Sequence, residues 1–413
     1  MATGVCIVLM AALLIGMTSC SSAKVQAADL MEGINAGTVS GKDTDSRFIS
    51  GMADFSIELF KKTVKDDGNA LVSPLSVMLA LAMTTNGASG TTLAQMETVL
   101  GKDIKIDALN EYLYTYVKNL PSGKDYQLNI ANSIWFRDEA DRLTVEQDFL
   151  QKNADYYSAA AYKAAFDDQT LADINGWVKT KTEGMIEKIL DQISADNVMF
   201  LINAIVFDAR WMTVYSLENV TKGEFTAFDG SKKTVDMMRS EELVYLEDAS
   251  ATGFLKPYVD GRYAFAALLP NENIDINDYV ASLTGENFMN LLGETQDTAV
   301  TATLPKFSYD YKIAMNDALK AMGMTDAFDS GLADLSRLGK STRGNLYINE
   351  VLHKTFIQVD ELGTKAGAVT KVEVNDESYT ETKIVNLDRP FVYAIIDNAT
   401  HLPVFIGTVL TIE

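Results

Sequence analysis

A mixed α+β fold is what the sequence predicts, and three stretches predict it. Residues 75–83 are apolar nearly all round, as in a helix buried on every side. Residues 198–207 form a continuous apolar run between aspartates, as in a central strand covered on both faces. Residues 361–382 alternate with period two. Thr364, Ala366, Ala368, Thr370, Val372 and Val374 make a small or β-branched face, and Lys365, Gly367, Val369, Lys371, Glu373 and Asn375 make the other, mostly polar. The same stretch ends in Asn-Asp-Glu-Ser-Tyr-Thr-Glu-Thr, which is loop chemistry. It reads either as a strand followed by an ordinary connection or as a loop able to become a strand.

Taken in order, residues 5–16 are an apolar run of signal-peptide length, too short to span a bilayer comfortably. They lead into Met17-Thr18-Ser19-Cys20, which resembles a bacterial lipobox and makes Cys20 the expected lipidated N-terminus. An ordinary signal peptide cut near Ala27-Ala28 is the alternative. Residues 1–20 are thus expected to be a signal peptide, and residues 21–47, rich in small and polar residues, a flexible tether. Asp45 or Ser46 is placed to cap a helix carrying Phe48, Met52, Phe55, Leu59 and Phe60 on one face and ending near Gly68. Ser73 is a good N-cap, with Pro74 in the first turn where proline is tolerated. Thr92-Leu93-Ala94-Gln95 reads as a capping box opening a helix to Leu100. Residues 126–136 alternate as a half-buried strand. Asn203 interrupts the 198–207 run, so it must find internal hydrogen-bond partners. Residues 263–270 are another apolar strand, and 391–396 and 403–410 are two strands joined by a turn at 397–400.

Composition narrows the chemistry. The chain has 413 residues, 47% hydrophobic and 22% charged, and carries a formal charge of −22, which repels phosphate and disfavours nucleic-acid binding. Its two cysteines, Cys6 and Cys20, both fall in the export segment, so cysteine catalysis and thiolate metal sites are not expected. Its two histidines, His353 and His401, stand alone without a zinc-ligand spacing. No nucleophile elbow or phosphate-cradling glycine loop is present. No cofactor is expected and the protein is not expected to be an enzyme.

Several motifs in series resemble the serpins. Residues 69–76, Asn-Ala-Leu-Val-Ser-Pro-Leu-Ser, resemble a family motif, as do Leu304-Pro305-Lys306-Phe307 and residues 319–328. Trp211 follows Asn203 at the family's spacing, Glu361-Leu362-Gly363-Thr364 followed by small residues resembles its hinge, and Asp388-Arg389-Pro390-Phe391 its C-terminal signature. The resemblance runs from residue 48 to 413. It implies one serpin domain with about nine helices, three β-sheets and an exposed reactive-centre loop. It also implies a hinge of Glu361, Gly363, Thr364, Ala366, Gly367 and Ala368, a shutter beneath the main sheet with Ser73, Ser76, Asn203 and His353, and a breach holding Trp211.

The activity so implied is suicide inhibition of serine or cysteine endopeptidases. The protease cleaves and acylates the loop, the hinge inserts into the main sheet, and a covalent 1:1 complex is trapped. The residues suit it: no charged or bulky group occurs on the inserting face before Asp376. Counting from Glu361 by the family's spacing puts the reactive bond at Glu377-Ser378, implying a glutamyl-specific target. Counting back from Pro390-Phe391 gives Tyr379-Thr380 and a chymotrypsin-like or papain-like target, whereas Asp376 implies an aspartate-specific one. A monomer is expected, held to a bacterial cell envelope only through its lipid anchor, or else secreted or periplasmic. The alternative is a non-inhibitory serpin acting as a binding or scaffold module.

Overall fold

The strand Met199–Arg210 is the axis of the molecule, buried at all but two of its positions. The computed structural model describes residues 25–65, 68–102, 104–120, 123, 126–138, 142–365 and 382–413. In it the main sheet runs Ala28–Asp29, Ala160–Ala164, Tyr126–Arg137, Met199–Arg210, Gly363–Thr364, Glu350–Val359, Phe307–Ala314. A six-stranded second sheet contains the apolar strands Tyr263–Pro270, Phe391–Asp397 and Pro403–Val409. A four-stranded third sheet runs Lys383–Asn386, Val300–Pro305, Lys232–Glu242, Val220–Thr226, and a two-stranded ribbon completes the set. Nine α-helices occur among the described residues.

The helix Pro74–Thr85 explains why its sequence is apolar all round. It packs against both Met199–Arg210 and Pro403–Val409, and every one of its residues is buried. Ser73 caps it, accepting from the Ser76 amide. Behind the upper half of the main sheet, Ile205, Phe207 and Trp211 pack on Phe265, Tyr393 and Phe405 of the second sheet. On the opposite face Phe200, Ile202 and Ala204 are covered by Ile174, Trp177 and Val178 of the helix Asp168–Lys181.

Three expectations change. The first helix, Ser46–Thr63, is capped by Asp45, whose carboxylate accepts from the Phe48 amide at 2.9 Å, but it stops at an extended Val64, short of Gly68. The third, Gly90–Gly101, begins two residues before the expected capping box. Thr92 and Gln95 serve another segment instead: Thr92 accepts from the Asp334 amide, and Gln95 from the amides of Thr325 and Asp326. Residues 25–45 are not a free tether. Ala28–Asp29 pairs with Ala160–Ala164, and the amides of Gln26 and Ala27 donate to Asp173. Gly37 donates to Asp155, and Leu30, Met31 and Ile34 pack on the core. Main-chain donors do most of this binding, which is why composition gave no sign of it. Cys20 lies outside the described residues, and among the described residues no helix is long and apolar enough to cross a membrane.

Candidate functional site

The main sheet is open at one end and closed at the other. Glu350 to Lys354 pair in parallel with Phe200 to Ala204. Further along, the two strands part and Gly363–Thr364 lies between them, antiparallel to both: Gly363 opposite Arg210, Thr364 opposite Ala209 and Val359. The backbone requires a glycine at 363: a Cβ here would stand 2.1 Å from the Ala209 carbonyl oxygen. Only glycine lets the backbones approach this closely. Thr364 is buried, and its hydroxyl is 2.5 Å from that of Tyr258.

The chain entering this slot is held by a ring of aromatic residues. The Trp211 indole N–H donates to the Asp360 carbonyl at 2.8 Å, the Trp211 amide to the Leu362 carbonyl at 2.9 Å, and the Tyr215 amide to the Glu361 carbonyl at 3.0 Å. Trp211 stacks on Tyr258 with centroids 4.5 Å apart. The Asp360 carboxylate accepts from the amides of Leu362 and Gly363, tightening the turn before the slot. Glu361 meets Lys306 at 2.5 Å. Partial burial alone would raise the Glu361 pKa, but the Lys306 ammonium outweighs it and holds the carboxyl below its ordinary value.

Where the two strands still touch, a buried polar cluster joins them. Asn203 and His353 face each other across the parallel pair. The His353 imidazole is fully buried, with Nδ1 2.7 Å from Asn203 Oδ1 and Nε2 3.1 Å from the Ser73 amide. A backbone N–H can only donate, so Nε2 accepts and the proton sits on Nδ1, donating to Asn203. The Asn203 amide donates in turn to the Ser76 carbonyl and hydroxyl and to Asn132 Oδ1. With both nitrogens engaged in the neutral form, burial drives the His353 pKa down to about 3.

The structure therefore brings Ser73, Ser76, Asn203 and His353 into one cluster and binds Trp211 to Asp360 and Leu362, on either side of Glu361 and just before Gly363 and Thr364. Ala366, Gly367, Ala368, Asp376, Glu377, Ser378, Tyr379 and Thr380 lie outside the described residues. Sequence reasoning missed Tyr258 and Asn132, which complete the two clusters. Their signal was weak: Asn132 is one polar residue in a half-polar strand, and Tyr258 directly follows a strand. Among the described residues no group of three or more His, Cys, Asp or Glu side chains could hold a metal ion.

Comparison with known proteins agrees with this geometry. The family model described as Serpin (serine protease inhibitor) matches residues 50–412. Human Serpin B8 is 32% identical over 86% of this chain and 96% of its own length. The leukocyte elastase inhibitor of Xenopus laevis is 31% identical over 87% of this chain and 97% of its own. The crystal structure of the thermophilic serpin tengpin in its native state superposes with a TM-score of 0.91 at 56% identity, covering 94% of this chain and all of that one. On the family match and these relatives, the chain belongs to the serpin family, the serine protease inhibitors.

Proposed function

We propose that this serpin is a suicide inhibitor of endopeptidases that traps its target by inserting the cleaved reactive loop into the main sheet. The nucleophilic oxygen or sulfur of the protease attacks the Glu377 carbonyl. The bond to Ser378 breaks, its amine leaves with a proton, and an acyl-enzyme joins protease to Glu377. The freed segment from Lys365 onward then enters the sheet, carrying the protease with it before water can hydrolyse the acyl bond. The product is a covalent 1:1 complex, used once. It demands a native state trapped above a more stable, fully inserted one.

The observation that carries this reading is the half-open sheet with its first two loop residues already seated. The registers on the two sides of Gly363–Thr364 agree with each other. A loop inserted in that same register would bring Ala366 between Phe207 and Ile357, Ala368 between Ile205 and Thr355, and Thr370 between Asn203 and His353. The small face of the loop then points at the core shared with the second sheet. Thr370 would replace the His353–Asn203 contact with hydroxyl hydrogen bonds, leaving no buried polar group unpaired. A segment of about 13 residues at about 3.3 Å each spans roughly 43 Å, enough to cross the domain.

The test mixes residues 25–413 with a glutamyl endopeptidase, a chymotrypsin-like, an elastase-like, a trypsin-like and a papain-like enzyme. A denaturant-resistant complex is expected, and the first residue of the released C-terminal peptide fixes the scissile bond, Ser378 if Glu377 is correct. Cleavage by every enzyme without a complex, and without a gain in heat resistance of the nicked protein, would overturn the inhibitory reading. The same proposal includes export and anchoring through a lipid on Cys20. Cys20→Ala is expected to release the protein from membranes, and unchanged membrane fractionation counts against the anchor.

A further inference from the structure

We infer that the buried ion pair of Lys256 and Glu242 is a positioning device for the hinge, fixing the aromatic floor that grips residues 360–364. This rests on the inhibitory reading above. Lys256 occupies an inward position of the strand Ala251–Pro257, between the buried Phe254 and Tyr258, where the pattern calls for an apolar side chain. It is 1% exposed and Glu242 is 5% exposed. Lys256 Nζ lies 2.7 Å from Glu242 Oε1, which also accepts from the Ser240 hydroxyl at 2.6 Å.

A buried pair of this kind costs desolvation that well-packed apolar residues would not, so stability alone does not account for it. Its surroundings do. The ammonium stands 4.3 Å from the ring centroid of Tyr215 and 5.5 Å from that of Trp211. Those two residues donate the hydrogen bonds that hold the carbonyls of Asp360, Glu361 and Leu362. Two residues along from Lys256, Tyr258 stacks on Trp211 and reaches the Thr364 hydroxyl. One cation thus contacts two of the three aromatic residues that seat the hinge, and Glu242 ties it to the third sheet. The cation's attraction for ring faces sets the tilt of Trp211, and hence the placement of its indole donor, and holds the Tyr215 ring beside it, next to the main-chain amides that bind Glu361 and Leu362. After cleavage, insertion races hydrolysis of the acyl bond. A hinge kept seated at Thr364 starts that race from a formed strand.

The test removes both charges together, Lys256→Met with Glu242→Leu, so that no orphan charge remains buried. The expected result is a native melting temperature close to the parent's and an unchanged rate of acylation by the protease. The number of inhibitor molecules consumed per protease trapped rises about fivefold, the factor carried by one net hydrogen bond. Tyr258→Phe raises the same number in the parent and adds little in the double variant, because both act through the hinge. Lys256→Gln with Glu242→Gln, which removes both charges but keeps polar side chains able to hydrogen-bond, moves the partition in the same direction and covers the case in which the apolar double variant does not fold. A parent-like partition in the folded variants, with only the melting temperature lowered, overturns the proposal. Should the parent be cleaved without trapping, the inhibitory reading fails separately. The ion pair is then judged by how fast the loop-nicked protein gains heat resistance: slower in the variants supports the role, equal rates refute it.

Discussion

Two buried polar side chains carry the most testable chemistry. Thr364 is small, fully enclosed and hydrogen-bonded to Tyr258. Thr364→Arg would force a charge into that space without a counterion. The variant is expected to remain cleavable but to become a substrate, seen as nicked protein without complex; retained stoichiometric trapping would refute the seating of Thr364. His353 makes a pH prediction. Its native pKa is about 3 against an ordinary 6.5, so as pH falls below 6.5 the unfolded chain takes up a proton that the native state refuses. This one group then costs the native state about 1.4 kcal/mol per pH unit until about pH 3, and nothing above neutrality. His353→Gln should flatten the acid limb of a melting-temperature profile between pH 6.5 and 4, relative to the parent. An unchanged slope would mean that other groups set acid stability.

At the scale of elements, the two-residue strand Gly363–Thr364 matters more than its length suggests. It is held by main-chain pairing on both sides and is followed by Lys365, whose amide donates to the Gln358 carbonyl at 2.8 Å. Gly363→Ala places a methyl against the Ala209 carbonyl oxygen, an overpacking worth about 1–3 kcal/mol. That is enough to unseat so short a strand. Hydrogen exchange should show the Lys365 amide losing protection, with trapping made less efficient; full protection would show that the slot has room to spare. At the other edge of the same sheet, Ala28–Asp29 covers part of a strand that would otherwise present free donors and acceptors.

For the whole molecule, the proposed function requires one sheet to have two arrangements, six strands and the hinge now and a complete extra strand after cleavage. On that reading, the parallel contact between Met199–Arg210 and Glu350–Val359 is the one that has to open. Ala204 and Lys354 oppose each other there, and a chain starting at residue 25 has no cysteine of its own. Ala204→Cys with Lys354→Cys should therefore lock the sheet shut when oxidised. The locked protein is expected to be cleaved as a substrate and to trap protease again after reduction. Trapping by the oxidised form would show that insertion does not require this parting.

Local pattern by itself determined the buried helix Pro74–Thr85, the central and C-terminal strands, the small alternating face that begins at Thr364, and, through motifs, the family. Each is fixed by periodicity, by a capping side chain or by residues adjacent in the chain. Three other features were decided only by tertiary structure. Residues 25–45 pack on the body through main-chain donors, which any sequence possesses. Thr92 and Gln95 carry capping-box chemistry but satisfy amides more than 200 residues away. Lys256 and Glu242, read along the chain, are two ordinary charges fourteen residues apart. Only the folding of their strands against Trp211 and Tyr215 removes them from water and makes them a pair. What a residue does to its near neighbours in the chain is written in the pattern. What it does across the fold depends on which strands the sheets bring together.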